Sequence, residues 1–322
     1  MTVTIKSAMT AVALALASLA PLGSAQAAVL NLSAAIGNAN VFAFNDFSAP
    51  YADVEGAIMA GRNVSLTSYT VNLNNQDAYG QYALVVGGNL NFGNGNIRNG
   101  DVYVKGSVTY PGWGAPLDQG YTTTGGTGPV DMAKLAPGLA NTSTELAAIK
   151  ATGQTRKTGD QIFLTGTNSA VDIITVSASV MNSSSEFVLS NFATDATVIV
   201  NVVSNPGEVP VIQGGYQKFD NYNVLFNFVN AAEVKIATGA NISILAPNAT
   251  VNGGSGVING TVIVNSWNSG VQINSSNAFV STDVAGLVTA VPEPQTYAML
   301  LVGLGLVGFM GRRRKQAPLT VR

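Results

Sequence analysis

The sequence predicts a mainly β fold: a right-handed parallel β-helix (solenoid) with one short flanking α-helix, set between an N-terminal signal peptide and a C-terminal hydrophobic helix. Three observations point that way. Short β-rich runs recur at 64–71, 82–92, 101–110, 172–180, 196–203 and 222–229, each bounded by Gly, Asn or Ser. Several open on the same small, polar, aliphatic step: Gly61-Arg62-Asn63-Val64, Gly88-Asn89-Leu90, Gly106-Ser107-Val108 and Ala240-Asn241-Ile242. Anchored on Asn63, Asn89 and Ser107 the steps are 26 and 18, and Asn241 to Thr261 gives 20, around the period of a solenoid. Finally, charged residues make up 10% of the chain, against about 25% in ordinary soluble proteins. Asn, Ser, Thr and Gly must therefore cover the surface, and those residues suit dense turns. An antiparallel sandwich would use the same short strands. Recurrence of the Gly-Asn starts in register, with few hairpin dipeptides, favours the solenoid.

At the N-terminus Lys6 precedes an apolar run, 8–22, and Ala25-Gln26-Ala27 places small residues where signal peptidase reads. Cleavage is expected after Ala27, with Ala25 and Ala27 as the recognised positions. The apolar run is shorter than the ~20 residues a membrane span needs. Residues 28–288 then form the exported domain. Within it, Pro129 to Gly153 breaks the β pattern, and a helix is expected at about 131–152. Thr142 with Glu145 has the spacing of a capping box, followed by Leu146, Ile149 and a Gly153 stop. The preceding loop, 110–128, is rich in Gly, Pro and Thr and holds Trp113.

The C-terminal segment, 291–315, reads Pro292-Glu293-Pro294, an uncharged run at 297–310, then Arg312, Arg313, Arg314 and Lys315. This is a stop-transfer pattern, and the positive-inside rule leaves the domain on the external side of the inner membrane. Fourteen residues at 1.5 Å each reach ~21 Å of a ~30 Å hydrocarbon core, so the transmembrane helix is a weak, temporary anchor. The Gly305–Gly308 spacing is not that of a Gly-x-x-x-Gly dimer seam. Pro292-Glu293-Pro294, the short glycine-bearing helix and the Arg run together resemble a PEP-CTERM sorting signal. That resemblance implies recognition by an exosortase-type transpeptidase in a Gram-negative host making exopolysaccharide, with processing at Pro292, Glu293 and Pro294. It also implies transient anchoring in the inner membrane, then release to the cell surface or extracellular matrix.

Composition excludes much chemistry. The chain has no Cys and no His, which removes disulfides, thiol nucleophiles, Ser-His-Asp triads and the commonest transition-metal ligands. Residues 28–291 hold nine basic and 16 acidic side chains, a net charge of -7, which disfavours nucleic acid. No calcium-loop pattern or nucleotide fingerprint occurs, Gly87-Gly88 reading as a coil corner, so no cofactor or metal is expected. Asp53 and Glu55 form the nearest carboxylate pair, sharing one face at i, i+2, and read as a corner rather than a catalytic pair. Arg156-Lys157 near Asp160 reads as a surface turn.

Phe44-Asn45-Asp46-Phe47, Asp53-Val54-Glu55-Gly56, Ala83-Leu84-Val85-Val86-Gly87-Gly88-Asn89-Leu90 and Ile244-Leu245-Ala246-Pro247-Asn248-Ala249 resemble, in order, the choice-of-anchor A domain. The resemblance spans roughly 40–280 and implies a β-helical adhesive module found on bacterial surface proteins. Two functional classes follow. One is a non-enzymatic surface or matrix protein binding exopolysaccharide or surface glycans through flat polar walls and exposed aromatics such as Trp113, Tyr216 and Trp267. The other is ice binding by a Thr/Asn ladder. A glycan-active β-helix enzyme is the third alternative and would need carboxylates converging on one groove.

Overall fold

Strands of alternating aliphatic and small polar residues can stack side by side in parallel when each turn ends in a residue that tolerates a sharp corner. In the computed structural model, which describes residues 27–287 apart from Ser255, most of the chain does this. Eighteen strands make one curled sheet, and the pairings between them are parallel. The fold is mainly β and β-helix-like, so the solenoid expectation holds over the sandwich at this level.

The stacking order does not follow the chain. Along the first wall the strands run Thr123–Thr124, Asp101–Val104, Tyr82–Val86, Ile58–Ala60, Val41–Ala43, then Val262–Ser269, Ser243–Gly253, Asn223–Phe228, Thr197–Val203 and Val171–Ser177. The N-terminal half thus grows outward from the middle, and the C-terminal half starts at the far end and returns to meet it. At the junction Val41, Phe42 and Ala43 pair with Val262, Ile263 and Val264. Buried Asn40 stitches the two halves: its Nδ2 donates to the Gly260 carbonyl (2.9 Å), and its Oδ1 accepts from Gly56 N–H (3.2 Å).

Apart from the exposed end strand Thr123–Thr124, the strands of the first wall carry buried residues on both sides. Val41, Ile58, Leu84, Val262 and Ile244 point into the coil. Phe42, Met59, Val85, Ile263 and Leu245 point out, beneath the flanking helix and the chain ends. That helix, α2 (Met132–Ala148), connects the halves: Met132 lies by Gly87, and the Leu146 carbonyl accepts from Asn201 Nδ2 on the far side of the junction (2.9 Å). Ser143 and Asn227 bond reciprocally, Ser143 Oγ to Asn227 Oδ1 (2.5 Å) and Asn227 Nδ2 to the Ser143 carbonyl (2.8 Å).

The expected capping box does not form. The helix starts ten residues before Thr142, after Asp131, and passes through Pro137. Mid-helix, the Thr142 hydroxyl donates back to the Gly138 carbonyl (3.1 Å). Two further helices were not expected: α1 (Leu32–Ala35), capped by Asn31, and α3 (Ala178–Asn182), capped by Ser177. Nor was the antiparallel pairing of Gln154–Thr158 with Gln161–Thr165, which belongs to a separate three-stranded sheet. Ala28–Leu30 pairs antiparallel with Thr282–Val284, so both ends of the domain leave side by side on the face carrying α2.

Ala25, Pro292, Glu293, Pro294, Arg312, Arg313, Arg314 and the helix expected at 297–310 lie outside the described residues. Among the described residues, no helix is long and apolar enough to cross a membrane.

Candidate binding surface

A second wall turns away from α2. It runs through Val211–Ile212, Glu233–Ile236, the later halves of Ser243–Gly253 and Val262–Ser269, then Phe47–Val54, Val64–Val71, Leu90–Ile97 and Val108–Thr109. Eight strands at about 4.8 Å spacing make a strip of about 34 Å. Its inner file, Val234, Val251, Trp267, Phe47, Val64 and Leu90, is buried. Trp267 and Phe47 stack with ring centroids 6.0 Å apart. The outer file reads Lys235, Asn252, Asn268, Ser48, Ser65, Asn91 and Thr109, in register across the strands and exposed or half-buried.

Side-chain ladders hold this surface in place. Asn268 Nδ2 donates to Asn252 Oδ1 (3.0 Å), and Asn252 Nδ2 to Glu233 Oε1 (3.0 Å). At the corner before the file, Asp46 Oδ1 accepts from Asn63 N–H (3.0 Å), Asn63 Oδ1 from Asn89 N–H (3.0 Å), and Asn89 Oδ1 from Ser107 N–H (2.8 Å). The step starts at Asn63, Asn89 and Ser107 are therefore equivalent corners. On the other half the register is different: Asn259 Nδ2 donates to Asn241 Oδ1, so the partner of Asn241 is 18 residues on, not Thr261. Thr261 instead follows Ser243, whose hydroxyl accepts its N–H (3.0 Å).

Of the three aromatics expected on the surface, Trp113 is 64% exposed, but Tyr216 and Trp267 are 1% exposed and belong to the core. Tyr216 packs against Phe187 at 5.0 Å. Trp267 takes an inward slot of the second wall and satisfies its indole N–H on the Ser269 carbonyl (3.1 Å). Tyr51, 57% exposed, was missed. Asp53 and Glu55 do not converge. Asp53 Oδ1 accepts from Thr70 N–H (3.1 Å), while Glu55 Oε2 accepts from Ser275 N–H (2.8 Å) in the strand stack on the opposite side. Behind the wall, burial, with Asp53 nearby, raises the pKa of Tyr69. Among the described residues its hydroxyl finds no hydrogen-bond partner. Among the described residues, no group of three or more acidic side chains gathers as a metal site. Arg156 and Lys157 are exposed beside a turn, with Arg156 over the Phe163 ring at 4.1 Å.

Comparison with known families gives two matches: residues 32–275 fit the model described as "Putative Ice-binding-like adhesive domain", and residues 290–315 fit the PEP-CTERM protein-sorting motif. Comparisons with curated proteins and with solved structures return no match. The sorting motif implies export and processing by an exosortase on the way to the cell surface. With three quarters of its length inside the first match, the chain belongs to the ice-binding-like adhesive domain family.

Proposed function

We propose that this chain is an exported, exosortase-sorted surface or exopolysaccharide-matrix protein, whose domain adheres to polysaccharide without turning it over. The observation that carries the reading is the second wall. It is an in-register strip, mostly Asn, Ser and Thr, about 34 Å long, in which the Asn252 and Asn268 amides are held by ladder hydrogen bonds. Fixed donors and acceptors lose little entropy on binding, and many weak contacts in a row suit a repeating polymer better than a small substrate. The engagement of Asp53 and Glu55 by backbone N–H groups supports a non-enzymatic role, since catalytic carboxylates must face one groove.

The remaining parts follow the same reading. Residues 1–27 are the signal peptide, cut by signal peptidase after Ala27, and 28–288 form the adhesive module, coiled right-handed as parallel crossovers are. Residues 291–315 present Pro292, Glu293 and Pro294 to the exosortase, with the 297–310 helix held in the inner membrane by Arg312, Arg313 and Arg314. A second reading, ice binding, is favoured by the family description. The outer file carries Thr only at its Thr109 end, and a polysaccharide therefore ranks first.

The test is a pull-down of the chain on immobilised exopolysaccharide from the producing cells, with adsorption to growing ice as a parallel arm. Retention on the polymer without its depolymerisation is expected. No retention, or product release from the polymer, overturns the adhesive reading, and uptake into ice alone would put the second reading first.

A further inference from the structure

The second wall is interrupted at the junction between the halves. Facing the strand that ends at Ser269, the strand Phe47–Val54 pairs at Phe47 and Ser48, and the next pair on that side is Val54 with Ile273. Pro50, which has no N–H to donate, sits in this gap. So does Tyr51, whose ring lies across Gly270: a Cβ built on Gly270 would stand 2.8 Å from a ring carbon. The next residue, Ala52, has a φ of 128°, a region that L-residues rarely occupy. Strain of that kind persists where the surrounding structure imposes it, and it is concentrated at functional sites. On its other edge the strand pairs at each residue except Pro50, with Tyr51 in register with Ser68 and, one strand on, Asn94. An aromatic ring, on a residue 57% exposed, is thereby seated on a side-chain-free backbone three residues beyond Ser48 of the polar file.

We propose that Tyr51 is the stacking platform for a neutral hexopyranose unit of the bound polysaccharide, with Ser48, Ser68 and Asn268 as the flanking polar groups. This rests on the adhesive reading above. Sugars with equatorial hydroxyls present an apolar C–H face that matches an aromatic ring, while their hydroxyls reach polar groups around its rim. The net charge of -7 over residues 28–291 sets the class, because it repels polyuronates and leaves neutral polymers as the fit.

The experiment measures retention of the full chain, in non-ionic detergent, on beads carrying a neutral β-glucan, a galactan, a mannan or alginate. At least one neutral polymer is expected to hold the wild type more tightly than alginate does. Tyr51→Ala should weaken that binding about tenfold or more, as loss of an aromatic anchor does. Tyr51→Phe, which keeps the ring, should stay within about threefold, a difference below 1 kcal/mol. Gly270→Ala is the second probe: it keeps the tyrosine but pushes it off its seat, and an intermediate loss is expected. If the wild type and Tyr51→Ala bind a neutral polymer equally, the platform is wrong while polysaccharide adhesion stands. Stronger retention on alginate overturns the neutral class, and no retention on any polymer overturns both this site and the adhesive reading.

Discussion

Asn63, Asn89 and Ser107 could be aligned from the sequence because a corner residue must both turn the chain and cap the next coil's N–H, and few side chains do both. Tyr69 shows the opposite case. Its strand alternates as an exposed or an inward position would, and nothing local marks the hydroxyl as buried without a partner. Removing such a group is near neutral or favourable, so Tyr69→Phe should leave stability unchanged or raise it by about 1 kcal/mol in urea unfolding. A loss of that size would mean that the hydroxyl has a partner. Burial raises the pKa of Tyr69, and of Tyr216, in the folded state. The folded protein therefore holds these protons more tightly than the unfolded chain. Their contribution to stability is complete below the unfolded value of about 10 and falls away as pH rises beyond it. Alkaline titration followed at the phenolate band should show these two tyrosines ionising together with unfolding. Trp267 and Tyr216 read as exposed because turn-forming residues flank them. Their burial depends on a coil contributed by distant sequence.

The flanking helix was legible in place and nearly in its limits, about 131–152 against the observed Met132–Ala148, but not in its capping. Its apolar residues, Leu139 and Leu146, predict one buried stripe, whereas the Thr142–Glu145 capping-box spacing suggests a helix start that tertiary contacts override. Those contacts are the reciprocal bonds between Ser143 and Asn227 and the bond from Asn201 to the Leu146 carbonyl. Polar residues pointing out of a sheet under a helix are the unexpected element here, and they fix where the helix docks. Asn227→Ala removes three bonds from a buried position, and about 2 kcal/mol of stability should be lost. Hydrogen exchange should show where: amides of Met132–Ala148 should exchange faster, while those of Val64–Val71 stay protected. Uniform loss across both segments would mean that the helix is not a separately docked unit.

For the whole molecule, parallel coils were legible in the repeated steps, while their non-sequential order was not. The pairing of Val41–Ala43 with residues some 220 positions away leaves no periodic trace, because it joins the first coil of one half to the last coil of the other. Each half by itself ends in an unpaired strand edge at the junction, a template for pairing with another chain. Residues 28–128 and 129–287, expressed as two chains, should accordingly aggregate or self-associate alone and form a one-to-one complex together, as read by light scattering on a sizing column. Two separately soluble monomers would show that the junction contributes little. The junction also sets a clock for export. In a chain that crosses the membrane N-terminus first, the opening coil waits, half-paired, for a partner synthesised last. The closing strand Gln272–Asn274 lies fewer than 20 residues ahead of Pro292. Completion of the domain and arrival of the sorting motif at the membrane thus become nearly one event, and an exosortase acting on the motif receives cargo that has just become able to close.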